Sequence, residues 1–289
     1  CYVDPYEGGK LAVAESARNV ACAGARPLAI TNCLNFGSPL KPEIFYQLSE
    51  AVRGIGDACR ALNTPVTGGN VSLYNENPGG AIWPTPIVGM IGRIEAPAKP
   101  VKAGFPRAGL EVYLLGRSFG HLGASEYLRW KTGEVFGPCP DCDLAQEKAV
   151  VDLLVEGAAA GLLESAHDCG VGGLAATLAE CVLLGGDGVG ARLELNSADA
   201  TDVGVCTVLF GETAGRVVVS VDAARDSEFL RLCTAKGVEL AMLGTTSDDG
   251  RLEIATPIGG IMLGREELAA KYYSLEAVFP QTEADIPMH

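Results

Sequence analysis

The segment Thr67-Gly-Gly-Asn-Val-Ser-Leu-Tyr-Asn75 places two glycines and an asparagine inside a run that otherwise has the residue types of a β-strand. That run extends from Pro65 to Tyr74, and a second strand-like run covers Thr85 to Ile94. The polar residues from Asn75 to Gly80 lie between the two runs and are typical of a turn. We therefore predict two strands that are joined by this turn.

Two helices and a short strand are predicted before these strands. Residues Lys10 to Ala23 contain no proline and many alanines, and they follow the turn residues Asp4 to Gly9. Pro27 to Thr31 is a short apolar run, which predicts a buried strand. Residues Lys41 to Leu62 carry apolar side chains at helical spacing and predict an amphipathic helix. We predict that these elements form a first domain over residues 1–95.

A second domain is predicted over residues 96–289. Prolines between Ala96 and Pro106 interrupt both periodicities, which indicates a connector. Beyond it strands and helices alternate, as in a layered α/β domain. The predicted strands are Glu111–Gly116, Ala191–Leu195, Val217–Val221, Glu239–Gly244 and Leu252–Ala255, and the predicted helices are Leu144–Leu163, Leu174–Leu184, Ala223–Lys236 and Arg265–Val278.

The composition excludes several classes of protein. A length of 289 residues with 48% hydrophobic residues suits a compact protein of two domains. The formal net charge of -14 repels a nucleic-acid backbone, and no basic run interleaved with aromatic residues occurs. A nucleotide such as ATP is not excluded, because local amide groups and a bridging cation hold a small phosphate ligand.

The location is predicted to be the reducing cytoplasm. No apolar run approaches the roughly 20 residues that cross a bilayer, so we expect no membrane partner. Most of the ten cysteines lie in apolar segments, as Cys22 and Cys181 do, where a thiol packs as a small hydrophobic group. The chain begins with Cys1 rather than Met, within what resembles the tail of a strand, and we expect it to be a fragment.

Gly68-Gly69-Asn70-Val71-Ser72 has the chemistry of a phosphate and metal site. Two glycines let main-chain N–H groups approach a phosphate with no Cβ between them. The amide oxygen of Asn70 is a suitable ligand for Mg²⁺. The alternative is an ordinary glycine bulge in a strand, and the short motif alone favours that alternative.

Two further groups of polar residues are candidates for the same chemistry. Asn32 and Asn35 follow a predicted buried strand, at the kind of strand exit where α/β folds often bind ligands, although local capping by asparagine is the alternative. Glu15 and Asn19 lie one turn apart on the first predicted helix and offer oxygen ligands to Mg²⁺. A solvated helix face is the alternative for that pair.

Two motifs in the second domain carry weaker signals. His167-Asp-Cys-Gly-Val-Gly-Gly173 precedes a predicted helix, whose N-terminus is able to bind an anion, although a structural turn is the alternative. Cys139-Pro-Asp-Cys142 has the spacing of half a zinc site, but no second pair follows it. We therefore do not predict zinc. No GxSxG, GxxxxGK[ST] or GxGxxG motif occurs.

Several segments together resemble phosphoribosylformylglycinamidine synthase, in order and in spacing. They are Asp4–Lys10, Thr31–Gly37, Thr64–Asn75, Pro84–Met90, Ser165–Asp168, Gly172–Leu174 and Leu209–Thr213 with Arg216. The chain is similar to the C-terminal half of the synthase subunit in the small, multi-subunit form. One departure is Cys169-Gly170-Val171, where the family usually has a serine and an acidic residue.

The resemblance implies a fold and an activity. Each half of such an enzyme is similar to aminoimidazole ribonucleotide synthetase, with an N-terminal domain that builds a shared β-barrel and a layered C-terminal α/β domain. ATP then phosphorylates the formamide oxygen of formylglycinamide ribonucleotide, and ammonia displaces phosphate to give the amidine. The implied partners are the missing N-terminal half, a glutaminase subunit and a small accessory subunit.

The resemblance also assigns site residues. It implies that Asn32 and Gly69 contact ATP, that Asn70 is a ligand of Mg²⁺ and that Ser72 contacts the substrate. The family's catalytic histidine lies in the N-terminal half, so no catalytic residue is predicted in this chain. Two alternatives remain: a non-catalytic half that holds a nucleotide structurally or holds none, and another ATP-dependent kinase or synthetase of the same superfamily.

Overall fold

The computed structural model describes residues 1–118, 121–195 and 202–274. No helix within these residues is both long enough and apolar enough to cross a membrane. All ten cysteines are free thiols. The described chain forms a three-stranded and a seven-stranded β-sheet, with helices packed against both, and a separate two-stranded hairpin.

The first part of the chain builds the three-stranded sheet and two long helices. Its elements are α1 (Pro5–Cys22), β1 (Arg26–Asn35), α2 (Pro42–Leu62), β2 (Val66–Ser72), β3 (Glu76–Asn77), β4 (Gly80–Ala81) and β5 (Thr85–Arg93). The sheet order is β2-β1-β5, in which β1 is parallel to β2 and antiparallel to β5. The two predicted strands are therefore not neighbours, because β1 lies between them. Their connection contains the small hairpin β3–β4 rather than a simple turn.

Helix α1 begins five residues before its predicted start at Lys10. Asp4 caps it, because its carboxylate accepts the N–H of Glu7 at 2.9 Å, and Pro5 occupies the first helical position. Proline and two glycines in this stretch had indicated a turn. Gly8 and Gly9 are helical here because other parts of the chain come close to them: a Cβ on Gly9 would lie 2.4 Å from the carbonyl oxygen of Ala51 in α2.

The contact between α1 and α2 gives a test of the packing. A Cβ on Gly54 would lie 2.1 Å from the carbonyl oxygen of Tyr6, so Gly54→Ala forces the two helix backbones apart. We expect a loss of about 1–3 kcal/mol in the free energy of unfolding, measured by urea denaturation. Gly56→Ala is the matched control, because its nearest neighbour is the flexible Arg60 side chain at 3.5 Å. Equal stability of the two variants would contradict this account.

One face of the three-stranded sheet is open in this chain. Ile30 and Leu34 of β1 pack into the core beneath α1 and α2. On the opposite face, Val66, Ile87 and Ile91 have 47%, 55% and 66% of their surface exposed. Strands with one buried and one exposed apolar face commonly pack against a second sheet or close into a barrel.

The second part of the chain is the seven-stranded sheet with its helices. Its strands are β6 (Leu110–Leu115), β7 (Ser165–Asp168), β8 (Gly190–Glu194), β9 (Val217–Asp222), β10 (Leu240–Ser247), β11 (Arg251–Thr256) and β12 (Gly259–Gly264). Its helices are α3 (Glu126–Thr132), α4 (Leu144–Ala159), α5 (Gly173–Leu183), α6 (Asp202–Phe210), α7 (Asp226–Lys236) and α8 (Arg265–Tyr272). The sheet order is β12-β11-β8-β10-β6-β9-β7, and only the pair β8–β11 is parallel.

The prediction for this part is correct in type but incomplete. Strands β7 and β12 and helices α3 and α6 are additional to the predicted set. The helix predicted from Arg265 to Val278 is helical to Tyr272, and residues 275–278 lie outside the described residues. The division at residues 95 and 96 stays a prediction. Residues 94–109 form no helix or named strand, apart from one isolated β-bridge between Lys102 and Ser165.

Candidate functional site

Strands β1 and β2 bring the predicted ATP-contacting residues side by side. Asn32 pairs with Gly69, and Asn35 pairs with Ser72. Asn32 lies within β1, which extends to Asn35, so the predicted strand exit after Thr31 is wrong. The reason is that β2 and β5 pair with β1 on both sides through Asn35 and supply hydrogen-bond partners beyond the apolar run.

Gly69 is required by the position of Asn32. A Cβ on Gly69 would lie 2.2 Å from the amide oxygen of Asn32 and 2.3 Å from its carbonyl oxygen, which no side chain tolerates. The carbonyl oxygen of Ser72 accepts the N–H of Phe36 at 3.0 Å, so Ser72 points its main-chain groups toward β1. Because these groups alternate along a strand, those of Gly69 point to the unpaired edge of β2. That N–H is available to a ligand.

Asn70 and Ser72 form a second, adjacent pair of polar groups. They lie two residues apart on β2 and therefore share one face of the sheet. The Nδ2 group of Asn70 donates to the hydroxyl of Ser72 at 3.4 Å, which leaves the amide oxygen of Asn70 as the acceptor. A Cβ on Gly68 would have no atom within 4 Å, so space is open on this side as well.

The four residues lie on two faces of one strand pair. Asn32 has the same parity as Ile30 and Leu34, so it lies on the face toward the helices, together with Gly69. Asn70 and Ser72 lie on the open face. A ligand that contacts all four must therefore lie across the free edge of β2, where both faces are within reach.

Glu15 and Asn19 are located elsewhere. Glu15 borders a cavity of about 240 Å³ between α1 and the second part of the chain, and Asn19 borders a neighbouring one beside His167 and Asp168. Within the described chain, neither cavity is lined by Asn70 or Ser72. The structure therefore does not bring the two proposed metal positions together.

The loop from His167 to Gly173 is held by internal contacts. His167 donates from Nδ1 to the carbonyl oxygen of Asp168 at 2.9 Å, and its Nε2 lies 3.2 Å from a carboxylate oxygen of Glu180. Helix α5 follows the loop as predicted and begins at Gly173. Glu212 accepts the N–H of Gly172 at 3.0 Å. These contacts favour the structural alternative for the motif.

The loop around Cys139 and Cys142 connects the two parts of the chain. The carbonyl oxygen of Cys142 accepts a hydrogen bond from Lys10 at 3.0 Å, and its N–H donates to Glu7 at 3.0 Å. Burial raises the pKa of Cys139 to about 11 and that of Cys142 to about 12. Zinc requires thiolates, and no group of three or more His, Cys, Asp or Glu residues in the described ranges is arranged to hold a metal ion.

Two buried arginines were not identified from the sequence. Arg18 on α1 is 3% exposed, and Arg216 is fully buried. Arg18 did carry a signal, because it follows Ala14 by four residues and precedes Ala21 by three, which places a charge on the apolar face of α1. Arg216 carries no sequence signal apart from the family resemblance.

The two parts of the chain match two domains of one family. Residues 1–94 match the family described as AIR synthase related protein, N-terminal domain, and residues 107–256 match the corresponding C-terminal domain. The chain belongs to the AIR synthase related protein family. The sequence resemblance and the two-domain α/β fold class are thereby confirmed.

Curated relatives carry a more specific name. The chain is 49% identical over 244 residues to the phosphoribosylformylglycinamidine synthase subunit PurL of Moorella thermoacetica, which covers 84% of this chain and 32% of the relative. It is 46% identical over 277 residues to the subunit of the same name from Anaeromyxobacter dehalogenans strain 2CP-C, covering 93% of this chain and 35% of the relative. The chain thus spans about a third of the length of these relatives.

Solved structures share the fold. T. maritima PurL complexed with FGAR superposes with a TM-score of 0.72 at 18% identity, covering 93% of this chain and 44% of that chain. T. maritima PurL complexed with ATP gives a TM-score of 0.69, also at 18% identity, covering 92% and 41%. A chain of a HypE–HypF complex gives 0.66 at 18% identity, covering 89% and 84%. At these identities the similarity establishes the fold.

Proposed function

We propose that this chain is part of a phosphoribosylformylglycinamidine synthase and supplies one wall of its site for ATP, Mg²⁺ and formylglycinamide ribonucleotide. The observation that carries this proposal is the pairing of Asn32 with Gly69 beside Asn70 and Ser72. These are the four positions at which the family resemblance implies contacts to ATP, metal and substrate. The curated relatives and the solved complexes of T. maritima PurL with ATP and with FGAR support it.

The proposed reaction has two steps. The carbonyl oxygen of the substrate's glycinamide group attacks the γ-phosphorus of ATP, and ADP leaves. The nitrogen of ammonia then attacks the activated carbon, and inorganic phosphate departs with that oxygen to give the amidine. The formamide oxygen is not the one activated, because the product formylglycinamidine ribonucleotide keeps its formyl group. Activation of the oxygen is needed because an amide oxygen is a poor leaving group, whereas phosphate is a good one.

Each residue of the wall has a role in this scheme. The outward N–H of Gly69 donates to a phosphate oxygen, and Asn32 orients the nucleotide beside it. The hydroxyl of Ser72 positions the substrate on the open face. These groups bind and orient the reactants, and the proton transfers belong to residues outside this chain.

The donor set at Asn70 fits Mg²⁺ as a partial site. Its amide oxygen is exposed, and the only partner of its Nδ2 among the described residues is Ser72. Mg²⁺ commonly takes only one or two protein oxygens and completes its shell with water and phosphate. When bound, Mg²⁺ neutralises the charge that gathers on the phosphoryl oxygens. Glu15 and Asn19, the other residues predicted from the sequence to bind Mg²⁺, lie apart from this site.

The open face of the three-stranded sheet supports a partner of similar fold. We propose that the missing N-terminal half covers Val66, Ile87 and Ile91 and closes a shared barrel. A glutaminase subunit supplies ammonia, and a small accessory subunit completes the assembly. The ten free thiols agree with a cytoplasmic location. The same open face also favours the alternative of a non-catalytic half that only completes the barrel.

The proposal is tested with the chain assembled with its missing half. We expect Ser72→Ala to raise the KM for formylglycinamide ribonucleotide by about 2- to 10-fold, the size of one lost hydrogen bond. The measurement is ATP-dependent amidine formation with ammonia as the nitrogen donor. Ser49→Ala on the exposed side of α2 is the control. A nucleotide that stays bound without turnover in the active assembly would instead establish the non-catalytic half.

A further inference from the structure

An internal ion-pair cluster lies where α1 meets the second part of the chain. Arg18 donates from Nη1 to a carboxylate oxygen of Glu147 in α4 at 2.6 Å, and its Nη2 lies 3.9 Å from a carboxylate oxygen of Asp168 at the end of β7. Arg18, Glu147 and Asp168 are 3%, 1% and 6% exposed. One guanidinium therefore contacts or closely approaches two carboxylates that lie about 130 and 150 residues away in the sequence.

The guanidinium stays charged in this cluster. Burial acts to lower the pKa of Arg18, but the negative charges of Glu147 and Asp168 outweigh it and raise the pKa. Arginine is also the side chain that keeps its charge most strongly when buried. A permanent positive charge is therefore present among these acids.

Arg18 lies between the two residues that had been candidates for Mg²⁺. Glu15 borders the same cavity as Arg18, and Asn19 borders the adjacent cavity together with Asp168. A magnesium ion bound to Asp168 must lie about 2.1 Å from a carboxylate oxygen. The guanidinium is already 3.9 Å from that carboxylate, so ion and guanidinium repel one another at close range.

The remaining polar atoms do not resemble a metal site either. Among the described residues, Nε of Arg18 and one oxygen each of Glu147 and Asp168 have no hydrogen-bond partner. These atoms include a donor as well as acceptors. A site built for a cation presents acceptors only, whereas this group already holds a guanidinium. No set of three or more His, Cys, Asp or Glu residues in the described ranges is arranged to hold a metal ion.

The anion position of the same junction is also filled by the chain. Helix α5 begins after Gly172 without a side-chain cap from its own N-terminal residue. Glu212 reaches this N-terminus and accepts the N–H of Gly172 at 3.0 Å, and it also accepts the N–H of Glu126 at 2.9 Å. A carboxylate thus occupies the place that a phosphate takes at a helix N-terminus.

We infer that this junction binds neither Mg²⁺ nor a nucleotide. The Arg18 guanidinium occupies the place of a bound cation, and the Glu212 carboxylate occupies the place of a bound phosphate. Arg18 and Glu212 are accordingly positioning residues, which hold α1, α4, β7 and α5 in fixed relation. The inference does not rest on the proposed function. It removes the junction as the place of a structural nucleotide.

The cation part is tested by counting bound Mn²⁺ by equilibrium dialysis, since Mn²⁺ substitutes for Mg²⁺ at oxygen sites. We expect the unsubstituted chain and Glu15→Gln to bind the same number of Mn²⁺ ions. Arg18→Ala is expected to bind up to one Mn²⁺ ion more than the unsubstituted chain. The loss of one Mn²⁺ in Glu15→Gln would overturn the inference. Because Glu15→Gln alone decides the outcome, the test stands even if Arg18→Ala does not fold. Asn70→Ala, measured in parallel, reports separately on Mg²⁺ binding at strand β2.

The anion part is tested with radiolabelled ADP and a variant that fills the cavity. Gly170 borders it, and a Cβ there would lie 3.8 Å from Glu15, an ordinary contact, so Gly170→Leu adds bulk without a backbone clash. We expect the amount of bound ADP to be unchanged. A loss of bound ADP in Gly170→Leu, with unfolding excluded by circular dichroism, would show that a nucleotide binds at the junction and would overturn the inference.

Discussion

Replacing Asn70 by alanine is expected to lower the rate of ATP-dependent amidine formation about 100-fold or more in the assembled enzyme, with the fold unchanged. The size follows from the proposed role of Asn70 as a ligand of the Mg²⁺ that neutralises developing phosphoryl charge. The fold is retained because Asn70 is exposed and its amide makes one long hydrogen bond, to Ser72. We also expect the variant to require a higher concentration of Mg²⁺ for half-maximal rate.

The measurement is kcat and KM for ATP over a range of Mg²⁺ concentrations, with the melting temperature as the check on folding. Asn77→Ala is the matched control, because Asn77 is an exposed asparagine in the β3–β4 hairpin. Among the described residues, its amide oxygen accepts only the N–H of Gly79. Normal activity of Asn70→Ala at low Mg²⁺ would exclude Asn70 as a ligand of the metal and would leave the wall with a binding role only.

The helices of the fold were predictable because their signals are local. The apolar spacing over Lys41 to Leu62 gives α2 to within one residue at its start, since the structure begins it at Pro42. The start of α1 was not predictable in the same way. Gly8 and Gly9 weaken a helix locally, and only the close approach of other backbone, such as that of α2 to Gly9, explains their presence.

The sheet pairings depend on partners that are distant in sequence. The length of β1 is set by β2 and β5 on its two sides, so the position of Asn32 within a strand follows from tertiary pairing. For the same reason, the turn predicted between the two strands did not show which strand each of them pairs with. A local turn signal does not reveal a third strand that inserts between them.

The candidate site was predictable as a set of residues but not as a geometry. The GGN motif alone was weaker than its structural alternative, and the family resemblance identified the four positions. The structure adds that these positions occupy two faces of the β1–β2 strand pair. It also adds the ion pair of Arg18 with Glu147, which joins residues 129 apart. No spacing rule connects two such residues, because each is held by a different helix.

Replacing Arg216 by methionine is expected to have a large effect on stability, a loss of about 2–5 kcal/mol in the free energy of unfolding, because buried carbonyls lose their donor. Arg216 is fully buried, and burial lowers its pKa, so the fold maintains a cation at a cost in solvation. Its guanidinium donates to Ser118 at 3.0 Å, to the carbonyl of Thr213 at 3.3 Å, and to the carbonyls of Val208 and Gly211. Methionine removes this donor from the buried carbonyls of Val208 and Gly211.

The same contacts predict how the loss is distributed among variants. Arg216→Lys is expected to lose nearly as much as the methionine variant, because one ammonium group cannot reach acceptors spread around a planar guanidinium. Ser118→Ala removes a single acceptor and is expected to cost about 0.5–1.5 kcal/mol. Guanidinium chloride denaturation of the three variants provides the comparison. Arg216 holds the segment that carries Glu212, so we expect the N-terminus of helix α5 to lose hydrogen-exchange protection in Arg216→Met. Unchanged protection there would show that Arg216 does not support the contact of Glu212 with α5.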